Sequence, residues 1–172
     1  MARILVVVVD EEIIRKRMKS LLELDGYETF TAGDGQESLE VFQKVEPEIA
    51  LVDIKMPWMD GIEVLKRIKE KTKGTEIIII TGHGGVDTAI QALKKGAFSY
   101  IQKPVDYDEL KIAIKKASEK QEMQKKLDEH VHNLEHINKQ LEQAVEKANR
   151  LYAVKTLQNE KLKREYEIAS NC

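Results

Sequence analysis

The stretch "ILVVVVD" (residues 4–10) decides the fold, because six consecutive apolar residues end directly against an acid. Five of the six are β-branched, which favours an extended strand over a helix. A short apolar run without alternation is typical of a strand that is buried on both faces, as in a parallel sheet. The run from 3 to 9 therefore predicts the first strand of such a sheet.

Strand-like and helix-like segments alternate from this run to about residue 105. The predicted strands are 3–9, 27–32, 48–53, 76–81 and 97–102, and the predicted helices between them are 13–24, 35–45, 61–71 and 86–96. This alternation indicates βαβ units, and right-handed crossovers place helices on both faces of the sheet. We therefore expect an α/β fold with a doubly wound, five-stranded parallel sheet of the flavodoxin type.

The composition excludes several classes of protein. Because 28 basic residues nearly balance 30 acidic ones, no basic bias points to nucleic acid. The single cysteine, Cys172, rules out an internal disulfide. No apolar stretch approaches the roughly 18 residues of a membrane span, and the apolar run 4–9 is too short for a signal peptide. We expect a cytoplasmic protein with no nucleic-acid or membrane partner.

The sequence after Pro104 contains neither glycine nor proline, and it reads as one helix from about Asp106 to Ala169. A heptad frame finds apolar residues at seven of eight core positions. These positions are Leu127, Val131, Leu134, Asn138, Leu141, Val145, Ala148 and Tyr152. The pattern predicts a dimeric coiled coil (121–172) that continues the last helix of a domain spanning 1–120, with Asn138 setting register. The alternative is a lone amphipathic helix.

Chemistry-bearing residues follow four of the predicted strands. Asp10, Asp53, Thr81 and Lys103 each stand at or just after a strand's carboxyl end. Because these ends share one edge of a parallel sheet, we expect the four side chains to converge. Two carboxylates suit Mg²⁺, and an aspartate can act as a nucleophile towards phosphorus. A lysine and a hydroxyl can stabilise the phosphoryl oxygens.

Four motifs resemble the CheY-like response regulator receiver domain, with "TGHG" closest to receivers of the NtrC kind. They are "VDEEIIR" (9–15), "LVDIKMPWMDG" (51–61), "ITGHG" (80–84) and "SYIQKP" (99–104). The resemblance covers about residues 1–120. It implies a receiver of a two-component phosphorelay, with Mg²⁺ as cofactor and a histidine kinase or phosphotransfer protein as partner. It does not imply an enzyme beyond self-phosphorylation and autodephosphorylation.

The resemblance also implies a role for each site residue. Asp53 would be the phosphorylated aspartate, with Asp10 and the backbone carbonyl of Lys55 as further metal ligands. Lys103 would bind the phosphoryl group and precede a cis peptide bond to Pro104. Thr81 and Tyr100 would form the switch pair.

Val9 departs from the family pattern, which has two adjacent acids after the first strand. The 43-residue spacing from Asp10 to Asp53 puts Asp10 in the second acidic place, so Val9 occupies the first. That acid usually orients a metal-bound water, and losses of this kind weaken metal binding or activity 10–100-fold. A rival alignment takes Asp10 and Glu11 as the pair but requires a gap in the first helix.

Three functions compete on this evidence. A phosphorylation-controlled switch uses Asp53, Thr81 and Lys103, whereas Val9 favours a constitutive coiled-coil module with a degenerate receiver. An aspartate-nucleophile phosphatase would need a second acid at position 55, where Lys55 stands. The remaining candidates are interpreted as solvent-facing residues, namely His83, His130, His132 and His136, with Trp58 as a surface or partner contact.

Overall fold

The computed structural model describes residues 3–7, 11–56, 58–82 and 85–172. The strands are β1 (Arg3–Val7), β2 (Glu28–Ala32), β3 (Ile49–Asp53), β4 (Glu76–Thr81) and β5 (Ser99–Gln102). The helices are α1 (Glu12–Leu24), α2 (Gly35–Val45), α3 (Gly61–Lys71), α4 (Val86–Lys94) and α5 (Tyr107–Ser170). Strands and helices alternate in chain order, as the sequence predicts.

The five strands form one parallel sheet in the order β2-β1-β3-β4-β5. The doubly wound α/β prediction is therefore confirmed. The order reverses between β1 and β3, which makes the carboxyl ends of these strands the expected position of a ligand site. In the register of β3 and β4, Asp53 lies beside Ile80, so Thr81 is one residue further along the same edge.

Alternate residues of β1, β3 and β4 enter two separate hydrophobic cores, because side chains along a strand point to opposite faces. One core joins the sheet to α2, α3 and α4, with Phe42, Val64 and Ala92 among its members. The other joins the sheet to α1 and the first turns of α5, through Leu22 and Ile114. Both faces of the sheet are thus covered by helices.

The centre of the sheet is fully apolar. Ile77, Ile78, Ile79 and Ile80 in β4 have no exposed surface, and they alternate between the two cores. Burying one isoleucine side chain stabilises a fold by about 1.5–3 kcal/mol. Because the central strands are apolar on both faces, helices can pack against both sides of them. The unbroken apolar runs that predicted these strands reflect that burial.

Three of the helices, α2, α3 and α5, begin with an acidic cap, which at α5 is Asp106. Asp34 accepts a hydrogen bond from the backbone N–H of Glu37, and Asp60 accepts one from Glu63, each at 2.8 Å. Such caps satisfy backbone donors that have no partner within the helix. The residue before α1 is Glu11, whose side chain makes no capping bond, and Asp10 lies outside the described residues.

Glycines follow the first and fourth helices, and the turn at Gly96 explains why β5 begins later than predicted. Gly26 and Gly96 adopt left-handed backbone angles, with φ of 89° and 104°. The chain reverses there, and the N–H of Ala97 still bonds to the carbonyl of Ala92. Because Ala97 belongs to this helix ending, β5 begins at Ser99 and not at the predicted residue 97.

The chain divides into two compact units, Met1–Gln124 and Lys125–Cys172. The second unit is helical, and the large apolar residues of the predicted coiled-coil seam expose between 46% and 75% of their surface in the single chain. No described helix is both long and apolar enough to cross a membrane. The coiled coil and the boundary at residue 120 stay predictions.

Polar side chains of α5 contact the amino-terminal edge of the sheet. The buried carboxylate of Glu76 pairs with Lys120 at 2.9 Å, and its other oxygen has no hydrogen-bond partner among the described residues. Gln121 is also buried, and its side-chain amide donates hydrogen bonds to the backbone carbonyls of Glu48 and Gly74. These carbonyls lie just before β3 and β4. The contacts therefore attach α5 to the beginnings of the two central strands.

Candidate functional site

Asp53 is a buried carboxylate at the carboxyl end of the sheet's middle strand. The residue is only 1% exposed, yet both carboxylate oxygens have partners. Oδ2 lies 2.5 Å from Nζ of Lys103, and Oδ1 accepts a hydrogen bond of 3.0 Å from the backbone N–H of Lys55. A buried carboxylate is tolerated when it is paired and hydrogen-bonded in this way. Of the four side chains predicted to converge, Asp53 and Lys103 are in direct contact, Thr81 lies at the end of the neighbouring strand, and Asp10 lies outside the described residues.

Lys103 reaches Asp53 from the segment directly after β5. Its backbone N–H donates a hydrogen bond of 2.7 Å to the carbonyl of Thr81, which ties this segment to the end of β4. Its peptide bond to Pro104 is cis, as the family resemblance implies. The lysine side chain is 30% exposed, so its ammonium borders both the buried carboxylate and solvent. A cation at such a border can also contact an incoming anion.

Thr81 is buried at the end of β4, beside the strand that carries Asp53. Its hydroxyl donates a hydrogen bond of 3.4 Å to the carbonyl of Gly82, and no hydrogen bond joins it to Asp53. A Cβ atom at Gly85 would overlap Oγ1 of Thr81. The position of the Thr81 hydroxyl therefore depends on the absence of a side chain at position 85.

Tyr100 stands apart from this cluster. It lies on β5 in register with Ile79, and 39% of its surface is exposed. The structure places Tyr100 on the same strand that leads to Lys103. The role of Tyr100 and Thr81 as a switch pair remains a prediction, because these contacts describe one arrangement only.

Gly61 is a further site residue that the sequence analysis did not single out. Its N–H bonds to the carbonyl of Ile54 at 2.9 Å, and a Cβ at this position would overlap the carbonyl oxygen of Asp53. The loop after Asp53 can thus close tightly onto β3 only with glycine at the start of α3. The "MDG" letters of the motif contained this signal, but the close approach is visible only in three dimensions.

Three residues named in the sequence analysis, Val9, Asp10 and His83, lie outside the described residues. The described oxygen donors at this edge are the Asp53 carboxylate and the backbone carbonyl of Lys55. Hard oxygen donors of this kind suit Mg²⁺. Within the described ranges, no group of three histidine, cysteine, aspartate or glutamate side chains could hold a metal ion. The donor set fits Mg²⁺ only if Asp10 contributes as predicted.

A largely apolar groove of about 570 Å³ lies beside Lys103. Ile14 and Leu21 of α1 line one part, and Val105 and Tyr107 line another. The phenol of Tyr107 donates a hydrogen bond of 2.8 Å to the Asp25 carboxylate. Burial and this hydrogen bond raise the pKa of Tyr107 well above its ordinary value. The groove thus combines apolar side chains with the charged side chains of Glu11, Arg17 and Lys103.

The known family pattern that matches this chain is the response regulator receiver domain, over residues 5–115. The chain belongs to the response regulator receiver family. Receiver domains are the phosphoacceptors of two-component signalling and not enzymes in the ordinary sense. They typically bind Mg²⁺ at an acidic pocket and interact with histidine kinases or phosphotransfer proteins.

Two curated relatives show how much of other proteins this receiver covers. It is 38% identical to the regulatory protein AtoC of Escherichia coli over 128 residues, which is 74% of this chain but 28% of AtoC. It is 37% identical to sporulation initiation phosphotransferase F of Bacillus subtilis over 112 residues, or 64% of this chain and 90% of that protein. The receiver therefore corresponds to almost all of phosphotransferase F and to about a quarter of AtoC.

Solved structures agree with the fold. A receiver domain protein from Clostridium thermocellum is 41% identical, with a TM-score of 0.69, 72% of this chain and 98% of that chain covered. NtrX from Brucella abortus is 32% identical, with a TM-score of 0.70, 74% of this chain and 29% of that chain covered. Among the curated relatives, the DNA-binding transcriptional regulator NtrC of Escherichia coli is also 38% identical over 111 residues, or 64% of this chain and 24% of that protein. The NtrC-like resemblance is therefore confirmed.

Proposed function

We propose that this receiver accepts a phosphoryl group on Asp53 and signals through a homodimeric coiled coil. The observation that carries the first half is the buried Asp53 carboxylate, held 2.5 Å from the Lys103 ammonium at the switch-point edge of the sheet. A structural ion pair would not require a carboxylate at this edge. A carboxylate that attacks phosphorus does require a nearby cation, because the phosphoryl group that it receives brings negative charge to the site.

The proposed step moves a phosphoryl group from a phosphohistidine to Asp53. A carboxylate oxygen of Asp53 forms a bond to phosphorus, and the bond from phosphorus to the imidazole nitrogen breaks. The departing imidazole takes the electron pair of that bond and a proton. The product is an acyl phosphate on Asp53. The acyl phosphate can later hydrolyse by attack of water on phosphorus, which returns the carboxylate and releases inorganic phosphate.

Lys103 and Thr81 are the residues that can respond to this step. Once Asp53 carries the phosphoryl group, its carboxylate charge is gone and the new negative charge lies on the phosphoryl oxygens. The Lys103 ammonium, already at the site and partly solvated, can then pair with those oxygens. The Thr81 hydroxyl can exchange its long bond to Gly82 for a bond to the same group.

Asp53, the carbonyl of Lys55 and Asp10 are the residues that would hold Mg²⁺. The bound ion would supply positive charge to the phosphoryl oxygens. The apolar groove beside Lys103 offers a surface to the helical protein that carries the phosphohistidine. A protein donor must approach this edge because Asp53 itself is almost fully buried.

The coiled-coil half of the proposal rests on exposed apolar residues in the second unit. Leu127, Leu134 and Leu141 expose more than half of their surfaces in the single chain. Successive side chains of this seam are three or four residues apart and form one stripe. A second copy in parallel register covers the stripe on both chains and pairs Asn138 with its counterpart.

The first experiment tests phosphorylation. The purified chain is incubated with Mg²⁺ and acetyl phosphate, and its intact mass is measured. We expect the mass of one phosphoryl group to be added, and the addition to be lost in Asp53→Ala. The matched control is Glu70→Ala, which removes an exposed acid from α3 and should leave labelling intact. Label that persists in Asp53→Ala contradicts the assignment of the acceptor.

The second experiment tests the dimer by light scattering. We expect twice the 19.7 kDa of one chain at micromolar concentration. Leu134→Lys places a charge in the seam and should give the monomer mass. Gln143→Lys, at an outward heptad position, should leave the dimer mass unchanged. A monomer mass for the unmodified chain contradicts the coiled-coil proposal.

Val9 supports a second candidate function, a constitutive coiled-coil module whose receiver no longer accepts phosphoryl groups. Valine offers no oxygen where the family normally has its first acid. The mass experiment separates the two functions, because this module would dimerise and yet gain no phosphoryl group at any Mg²⁺ concentration.

A further inference from the structure

Trp58 combines two unfavourable features in the loop between β3 and α3. Its side chain is 100% exposed, although tryptophan is the largest apolar residue and occurs only once in the chain. Its backbone adopts a left-handed conformation with φ of 71°. A bulky residue rarely adopts positive φ, because its Cβ crowds the backbone there. Neither feature stabilises the single folded chain.

Glycine would form the same turn without the strain. Among the described residues, the other positions with positive φ are Gly26 and Gly96, at the ends of α1 and α4, and Glu46, with φ of 48°, at the end of α2. Strained conformations that persist in folded proteins concentrate at binding and catalytic sites. The indole at position 58 therefore has a use that lies outside the single chain.

The loop that carries Trp58 is fixed at both ends to the phosphoacceptor strand. At its beginning, the N–H of Lys55 bonds to the Asp53 carboxylate. At its end, Gly61 packs against the backbone of Asp53 and bonds to Ile54. The Asp60 side chain caps the helix that follows. The indole thus projects from a loop whose backbone is braced at both ends, five residues from the nucleophile, so covering it requires little further ordering of the backbone.

We infer that Trp58 is an anchoring contact for the protein that delivers the phosphoryl group to Asp53, an inference that rests on the proposed function. Because Asp53 is 1% exposed, a protein donor must press against the loops that surround it, and the loop of Trp58 is one of these. The partner's matching feature is an apolar hollow close to its phosphohistidine. Tryptophan is one of the residue types enriched among the contacts that dominate binding energy.

The test compares a protein donor with a small donor. Histidine-kinase cores are autophosphorylated with radiolabelled ATP, and the fastest donor to the unmodified chain is used at varied receiver concentration. For Trp58→Gly and Trp58→Asn, both compatible with positive φ, we expect the KM for the receiver to rise about tenfold or more. We expect kcat and the rate of labelling by acetyl phosphate to equal those of the unmodified chain within experimental error. The melting temperature should stay the same or rise.

Leu24→Ala is the matched control, because Leu24 is another exposed apolar residue (82%) but lies at the end of α1, next to the beginning of β2. Its KM should equal that of the unmodified chain. An unchanged KM in both Trp58 variants overturns the inference. So does an equal loss of labelling by acetyl phosphate, which would show that Trp58 acts on the site itself. A lower oligomer mass in the Trp58 variants also overturns it, because the indole then contacts a second copy.

The experiment also separates this inference from the proposed function. If acetyl phosphate labels Asp53 but no kinase core transfers to the unmodified chain, the anchoring role is wrong and the acceptor assignment stands. If neither donor labels Asp53, the proposed function itself is wrong, and the anchoring role falls with it.

Discussion

The Lys103 ammonium lies 2.5 Å from a carboxylate oxygen of Asp53, and the two partners differ sharply in their access to water. Asp53 is 1% exposed, whereas the lysine side chain is 30% exposed. Removing the lysine leaves a charge in the interior with one remaining hydrogen bond from the described residues, that of the Lys55 N–H. Removing the carboxylate leaves a lysine that can turn towards solvent. The two halves of this pair are therefore not equivalent for stability.

We expect Lys103→Ala to lower the free energy of unfolding by about 1–3 kcal/mol, because a buried acceptor loses its charged partner. We expect Asp53→Asn to leave that free energy unchanged or to raise it, because no buried charge remains. Urea unfolding at neutral pH in the presence of a chelator measures both. Equal losses in the two variants would show that the pair stabilises the fold symmetrically.

Position 9 should control the affinity for Mg²⁺. An acid there would orient a metal-bound water, and valine offers no acceptor. Val9→Asp should therefore bind Mg²⁺ about 10–100-fold more tightly, as measured by titration calorimetry. Without metal, the same variant should melt at a lower temperature, because a third carboxylate repels Asp10 and Asp53. Identical Mg²⁺ affinities would show that position 9 is not the family's first acidic place.

The phenol of Tyr107 should make the receiver less stable at alkaline pH. Burial and the hydrogen bond to Asp25 raise its pKa in the folded state above the ordinary value of 10.0. The unfolded chain therefore loses this proton first as pH rises, and stability falls above about pH 10. Tyr107→Phe should reduce the loss of stability between about pH 9 and pH 11. Chemical unfolding at both pH values is the measurement. Lys69, whose pKa is lowered by burial, titrates in both proteins and cancels in the comparison.

The side chain of Gln121 should contribute more to the stability of the fold than is typical of a glutamine in a polar helix. Its amide is the donor to the carbonyl of Gly74 and shares the carbonyl of Glu48 with the N–H of Glu76. Gln121→Ala leaves the Gly74 carbonyl without this donor, and we expect a loss of about 1–3 kcal/mol. Gln143→Ala, a fully helical and exposed control, should change stability by less than about 0.5 kcal/mol. A small effect at position 121 would mean that water replaces the amide.

Asn138 should lower the stability of the proposed dimer and, at the same time, specify that two chains associate. Asn138→Val completes the apolar seam, so the helical signal of the second unit should melt at a higher temperature. The same change removes the polar pair that specifies two strands, and light scattering should then detect species larger than the dimer. A lower melting temperature for this variant would place Asn138 outside the seam.

Two kinds of feature could be predicted from the sequence. The strands and helices follow from the spacing of apolar residues, and the position of the site follows from the polar residues at the strand ends. The apolar run of β4 has the burial that its pattern indicates, and Asp53 and Lys103 meet because parallel strands end at one edge. Contacts between distant polar residues could not be predicted in this way. Gln121 and Glu48 are 73 positions apart, and glutamine in a charged helix is typical of an exposed residue. The left-handed backbone of Trp58 was equally invisible, because tryptophan does not favour that conformation.

The close approach of the Thr81 hydroxyl to Gly85 has an evolutionary consequence. A methyl group there would occupy the place of the Thr81 hydroxyl, so glycine at 85 and the present rotamer at 81 are mutually dependent. A chain that acquires alanine at 85 must rotate Thr81 or replace it with a smaller residue. Among descendants of this sequence, the two positions should therefore covary, and a lineage that loses the glycine should already have altered its hydroxyl.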